Sequence, residues 1–403
     1  MGKSAFPLPK SGVTTRYLEL PEPDCITSFP LAGKSRAKDG GLDGGTEDED
    51  NLMMAVEGVC SANRAARLGA LASLSTRLRL GCDDEDDLQK YASTLANSLY
   101  NCIRRGKCDE RCRAVTSAAL MAWVLGDADA IFDKTRRYAE KILTTEIKKG
   151  DDYSDFVIGT AIIYFVQSPD SYDVLALCRL LLGSAEHEKS HAHKEACLSA
   201  WTFLFSTVPP AELGGSALVE TALQEMYGHL FDEDTSVRVA AGESITMMFV
   251  RCNLGTLTAP RHEGSDVEAS QDRDGLDAIL QRMKQIEKNM AEDNRKSKSD
   301  RAEQRRQFRD YLHIIDGGSA KPQRIVLPNG QTLEVERYED LIFLNMTRRI
   351  LADGFLPSLV TNRIMHNVLD FQPVEFAVER FDRDDKVRRE KQRMTDRRNK
   401  AYV

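Results

Sequence analysis

Between residues 66 and 249, four stretches repeat one order of charged, small and apolar positions: ARLGALASLSTRL from 66, CRAVTSAALMAWV from 112, HKEACLSAWTFLF from 193 and VRVAAGESITMMF from 237. Arg67, Arg113, Lys194 and Arg238 fall in one column, and Ala70, Thr116, Cys197 and Ala241 in a second. Leu74, Leu120, Trp201 and Ile245 make a third, with Leu78, Val124, Phe205 and Phe249 one turn further on. Positions three and four apart share a face of a helix, so each stretch predicts a helix with a buried stripe. The middle gap is about twice the others, and SDFVIGTAIIYFV from Ser154 fills it with Ile158, Ala161, Ile162 and Val166 in the apolar places. The result is a series of five units of roughly 40 residues.

Four of these units have a second helical stretch ahead of the aligned one, at 88–105, 130–147, 171–182 and 217–231. Two helices per such period are the signature of HEAT and armadillo arrays, where small residues let neighbouring helices approach and each pair stacks on the next. The expected fold class is all-α: a HEAT/armadillo-like helical-repeat solenoid, followed by a charged C-terminal helical region that contains a small β-hairpin. The hairpin is expected at Pro328-Asn329-Gly330, between Ile325-Val326-Leu327 and Thr332-Leu333-Glu334-Val335, with an amphipathic helix over 338–352 after it.

Composition divides the chain further. Scattered prolines, the pairs Gly40-Gly41 and Gly44-Gly45 and the run Glu47-Asp48-Glu49-Asp50 leave little to pack, so residues 1–50 read as a disordered acidic tail. The solenoid is expected over 51–254, a linker over 255–275, a C-terminal domain over 276–374 and a basic helix over 375–403. Nine cysteines without regular spacing suit reduced thiols in a cytoplasmic or nuclear protein. No apolar run approaches the roughly 20 residues of a membrane span, and no signal-peptide core stands at the start, so no membrane association is expected.

The formal net charge of −8 excludes a uniformly basic nucleic-acid coat, but the charge is unevenly placed. Residues 284–309 hold nine Lys/Arg against five Asp/Glu and end in Arg305, Arg306 and Arg309. Residues 386–403 hold eight, namely Lys386, Arg388, Arg389, Lys391, Arg393, Arg397, Arg398 and Lys400, against Glu390 and Asp396, so 8 − 2 gives +6. These eleven side chains are the candidate RNA contacts. Guanidinium forks bind phosphate bidentately, and a basic helix gains affinity by releasing counterions. A solvated tail or a nuclear-import signal is the plainer reading of the same charges.

One motif points elsewhere. His187-Glu188-Lys189-Ser190-His191 matches H-E-x-x-H, the two-histidine zinc site of metalloproteases. A zincin carries it inside a long helix, whereas here it follows Gly183-Ser184 in the turn between two helices of one unit. In the elongated form of the motif the third histidine would fall at Cys197, already in the small column, and His193 lies only two residues past His191. An exposed polar turn is the expectation, with no metal. Cys102, Cys108 and Cys112 lack a matching CxxC pair, and no phosphate loop or GxSxG elbow occurs. No catalytic residue and no cofactor are expected, and the chain does not read as an enzyme.

The last third carries a family likeness. Arg305-Arg306-Gln307-Phe308-Arg309-Asp310, Ile350-Leu351-Ala352-Asp353-Gly354-Phe355, Asn362-Arg363-Ile364-Met365-His366-Asn367-Val368 and Phe371-Gln372-Pro373, behind a solenoid, resemble the interferon-related developmental regulator family. The tryptophan usual after the hairpin in that family is absent, with Arg337-Tyr338 near its place. The resemblance implies a transcriptional co-regulator or a factor of translationally idle ribosomes, in which the helical body sits near the tRNA exit region and a C-terminal helix enters the mRNA channel. It implies ribosomal RNA and ribosomal proteins as partners of a monomeric, cytoplasmic protein. The alternative is a nuclear co-regulator whose solenoid is a scaffold for co-regulator proteins and whose basic tail is an import signal or a nucleic-acid clamp.

Overall fold

The computed structural model describes residues 46–81, 85–147, 151–167, 170–185, 190–213, 217–254, 268–288, 298–327 and 330–373. Most of the expected acidic tail, the linker and the whole basic segment 375–403 lie outside them. The helices come in antiparallel pairs: α1 (Thr46–Val59) with α2 (Arg64–Leu80), and α3 (Glu85–Arg105) with α4 (Cys108–Leu125). In the third pair α5 (Phe132–Lys141), finished by a π-turn at Ile142–Glu146, precedes α6 (Ser154–Gln167). The fourth joins α7 (Ser171–Ala185) to α8 (His191–Thr207), and after the short α9 (Pro210–Leu213) the fifth joins α10 (Ala217–His229) to α11 (Thr235–Cys252).

The second helices, α2, α4, α6, α8 and α11, pack one on the next in chain order and form a continuous row. This is the all-α helical-repeat solenoid expected from the periodicity. Leu74, Leu120, Trp201 and Ile245, the third column, are wholly buried. The charged column also has a common role. Arg67 Nη1 donates to the carbonyls of Ser61 and Ala62, and Arg238 Nη1 to those of Asp232 and Glu233, so each arginine ties down the turn that enters its own helix. Arg67 Nε also reaches Glu110 at 2.7 Å, and Lys194 Nζ reaches Asp232 at 2.9 Å, linking one unit to the next. Small residues set the spacing: a Cβ on Gly159 of α6 would lie 2.7 Å from Val115 Cγ1 of α4. Packing density in interiors leaves no room for that.

The array continues past residue 254. α12 (Glu268–Lys288) and α13 (Lys298–Ile315) form a sixth antiparallel pair, and α13 stacks on α11 as the row's last member. Its contact is made by Phe308 and Tyr311, which close on Gly242 of α11. The sequence pattern hid this unit because charge outnumbers apolar residues along α13.

The rest of the chain turns back over the row. A two-stranded antiparallel hairpin pairs Gln323–Val326 with Thr332–Val335, Ile325 opposite Leu333, as the Asn-Gly turn led us to expect. Helix α14 (Tyr338–Leu351) then crosses the row from α11 toward α2, followed by a 3-10 turn at Ala352–Gly354, α15 (Phe355–Thr361) and α16 (Arg363–Val368). Phe343 of α14 is its anchor: the ring lies 6.2 Å from Trp123 of α4, 5.5 Å from Phe165 of α6 and 6.5 Å from Phe203 of α8, centroid to centroid. At the far end Arg79 Nε of α2 donates to the Ile350 carbonyl at 2.9 Å, and Asn362 Nδ2 donates to the Trp123 carbonyl at 2.9 Å. Gly354 passes so close to α2 that a Cβ there would fall 1.7 Å from the Arg79 carbonyl oxygen. The segment 323–371 is thus a strap laid along the second-helix row.

Candidate nucleic-acid interface

Among the described residues the candidate RNA contacts come down to one helix. On α13 the apolar positions Phe308, Tyr311 and Leu312, with Gln304 one turn earlier, form a single narrow buried stripe. Spacings of three and four residues place them on one face, which leaves the remaining circumference to Arg301, Arg305, Arg306 and Arg309. Arg306 and Arg309 are well exposed, with 60% and 67% of their side chains open to solvent, while Arg305 is half-buried and its Nε donates to the Arg301 carbonyl at 3.3 Å. Arg306 pairs with Glu303 at 2.7 Å and Arg309 with Glu287 of α12 at 3.4 Å. Exposed pairs of this kind are worth about 0–1 kcal/mol, so a phosphate can replace either carboxylate at small cost. Lys386, Arg388, Arg389, Lys391, Arg393, Arg397, Arg398 and Lys400 lie outside the described residues, and their relation to this edge is not part of the geometry.

The H-E-x-x-H residues take another form than the motif requires. His187, Glu188 and Lys189 fall outside the described residues. Ser190 is the N-cap of α8, its Oγ accepting from His193 N at 3.1 Å, and His191 Nδ1 faces Asp232 Oδ1 at 3.3 Å. His193 corrects the expectation of an exposed polar turn: it is fully buried, with Nε2 3.0 Å from Ser184 Oγ and 3.4 Å from Cys197 Sγ. It is a core residue joining α7 to α8. No group of three or more His, Cys, Asp or Glu side chains among the described residues is arranged to hold a metal. Cys112 and Cys178 are buried, and burial pushes both thiols well above the usual range, which keeps them unreactive at neutral pH.

The sequence reading missed the contact surface between row and strap. The Phe343 socket draws on Trp123, Phe165 and Phe203 from three successive units, and nothing in one helix's periodicity announces a site shared by three. Two polar clamps flank it. Arg349 Nη1 of α14 meets Glu195 Oε1 of α8 at 2.6 Å, and Arg251 Nη1 of α11 meets Glu339 Oε1 of α14 at 3.7 Å.

These features define a helical-repeat array of six pairs that ends in a basic-edged helix and carries its own C-terminal strap along the second-helix row. The sequence profile of the interferon-related developmental regulator family matches residues 30–316, from before α1 through α13. The chain belongs to that family. It is 22% identical over 345 residues to interferon-related developmental regulator 2 of Mus musculus, covering 81% of this chain and 74% of that one. It is 20% identical over 298 residues to interferon-related developmental regulator 1 of Sus scrofa and to that of Homo sapiens, covering 70% of this chain and 62% of each relative. The strap lies beyond the profile match, although Ile350–Phe355 and 362–368 carry the motifs by which the likeness was first seen.

Proposed function

We propose that this chain is a ribosome-binding translational silencing factor that docks on idle ribosomes through its helical array and places the basic segment 386–400 in the mRNA channel near the tRNA exit region. The observation that carries this reading is the end of the array. A terminal repeat needs a polar outer face, and any mixture of charges would serve; α13 instead presents Arg305, Arg306 and Arg309 from one side, on a chain of net charge −8. The +6 tail continues the same chemistry, and ribosomal RNA is the polyanion that the family likeness supplies for it. The co-regulator reading would use the row as a scaffold for other proteins, but the strap already covers that face with Phe343, Met346 and Ile350. This weighs toward the ribosomal reading.

Sucrose-gradient fractionation of a cell extract tests it with the full chain. Co-sedimentation with non-translating ribosomes is expected, and the variant with Arg388, Arg389, Arg393, Arg397 and Arg398 changed to Glu should lose inhibition in a cell-free translation system. Retention in the nucleus on a protein complex, with no ribosome-bound fraction, would replace this reading by the co-regulator one.

A further inference from the structure

Where α14 crosses α8 and α11, the three helices enclose a cleft of about 270 Å³ lined by Glu195 and Ser199 of α8, Glu243 of α11, and Asn345, Met346 and Arg349 of α14. It holds two carboxylates and one cation. The Glu195 carboxylate accepts from Ser199 Oγ at 2.9 Å and from Arg349 Nη1 at 2.6 Å. Among the described residues, no hydrogen bond or ion pair reaches the Glu243 carboxyl, which sits in the same cleft under the strap. The groups around it offer no compensation. From α8 it faces Glu195, already bound to Arg349; from α13 the buried Tyr311; from α14 the buried Tyr338, whose hydroxyl donates to the Glu243 backbone carbonyl at 3.3 Å instead. A carboxylate taken out of water beside another negative charge favours its neutral form.

We propose that the seating of α14 on α8 and α11 is proton-linked, with Glu243 neutral while the helix is seated and ionised when it lifts, so that the strap is a pH-responsive cover of the second-helix row. The electrostatics agree with the geometry: burial, and then the Glu195 charge, push the Glu243 carboxyl up to about 7. At the same end of α14, burial pushes Asp340 up to about 6, against the pull of Arg337 at 3.8 Å. A carboxyl freed into water titrates near its ordinary value of about 4.3. The seated state therefore binds the proton more tightly. Its contribution to seating is full below the free carboxyl's value and is lost as pH rises through about 7. Over pH 6 to 8 one such proton changes the lifting equilibrium about tenfold, and Asp340 has largely titrated below that window. Lifting uncovers the Trp123, Phe165 and Phe203 socket. This inference stands apart from the RNA reading and survives its failure.

Amide hydrogen exchange on the full chain tests it, with rates corrected for intrinsic base catalysis. The protection of α14 relative to α6 should fall about tenfold between pH 6 and pH 8, and Glu243→Gln, which keeps the neutral shape, should remove most of that fall. A flat ratio in the wild type, or an unchanged fall in E243Q, would overturn the proposal. Carbon-detected NMR titration of the wild-type carboxyls needs no variant: a glutamate resonance assigned to Glu243 with a midpoint near 7 is expected, and a midpoint below 5 refutes the idea even if E243Q does not fold.

Discussion

Helices α8 and α13 hold the same place in their units, yet they are built oppositely. In α8 the buried residues run almost without a break from Ala196 to Phe205, around every side of the helix. In α13 only Gln304, Phe308, Tyr311 and Leu312 are buried, and arginines take the rest. The cause is the number of neighbours. α8 is enclosed by α6, α11, α7 and the strap, whereas α13 leans on α11 and α12 alone. Position in a stack, more than repeat identity, decides how hydrophobic a unit reads. The charged residues at the terminal position become the part of the array that can meet a partner.

The largest effect should come from the enclosed helix. Trp201 is fully buried and stacks on Phe205 with centroids 4.5 Å apart, so Trp201→Ala should cost about 3–5 kcal/mol and lower the melting temperature of the whole array. An unchanged thermal midpoint would mean that Trp201 does not bind adjacent units together. Phe343→Ala comes next, at roughly 3 kcal/mol as a cavity-forming change. Its damage should be confined to the strap: hydrogen exchange should rise over 338–371 while α6 and α8 stay protected. If α4, α6 and α8 lose protection equally, the strap is an inseparable part of the core rather than a cover upon it.

Phe308→Ala sharpens the comparison directly. The removed ring is as buried as that of Trp201, but α13 has a free outer side toward which the site can collapse, so a smaller cost of about 2–3 kcal/mol is expected, at the low end of the range for such truncations. Exchange should rise in α12 and α13 only. A loss equal to that of Trp201→Ala would show that the end unit folds as cooperatively as the middle ones.

The legibility of the fold follows the same division. The enclosed helices were readable because their columns carry a signal on several faces at once: the arginine column, the small column and two apolar columns agree, and they agree again at atomic level in the matching turn contacts of Arg67 and Arg238. The hairpin was readable from Asn-Gly alone. α13 was not read as a repeat because one stripe of Phe308, Tyr311, Leu312 and Ile315 is diluted by nine basic residues between 284 and 309, although its i, i+3, i+4, i+7 spacing was there to be found. The Glu195, Glu243 and Arg349 cleft could not be read at all. It joins residues more than one hundred positions apart, and an isolated glutamate in an apolar helix looks the same whether it faces water or the underside of a strap.

The smallest effect on stability should come from the basic edge, and there the comparison turns to function. Arg306 and Arg309 make only exposed pairs, so Arg306→Glu with Arg309→Glu should change stability by no more than about 0.5 kcal/mol, provided the freed Glu303 and Glu287 relax into solvent. If this edge contacts RNA, the same double change removes phosphate contacts, and each lost contact should flatten the dependence of log K on log salt by about 0.7–0.9. Ribosome binding measured from low to moderate salt should therefore weaken most at the low-salt end. Combining these changes with charge reversal in the tail separates two modes. An additive loss means that both basic elements lie on RNA at once, as docking plus channel entry requires. A loss produced wholly by the tail, with α13 silent, would make the arginines of α13 no more than the solvated outer face of a terminal repeat. A melting temperature lowered as far as that of Phe308→Ala would show instead that these pairs hold the end unit together, and the binding loss would then carry no information about RNA.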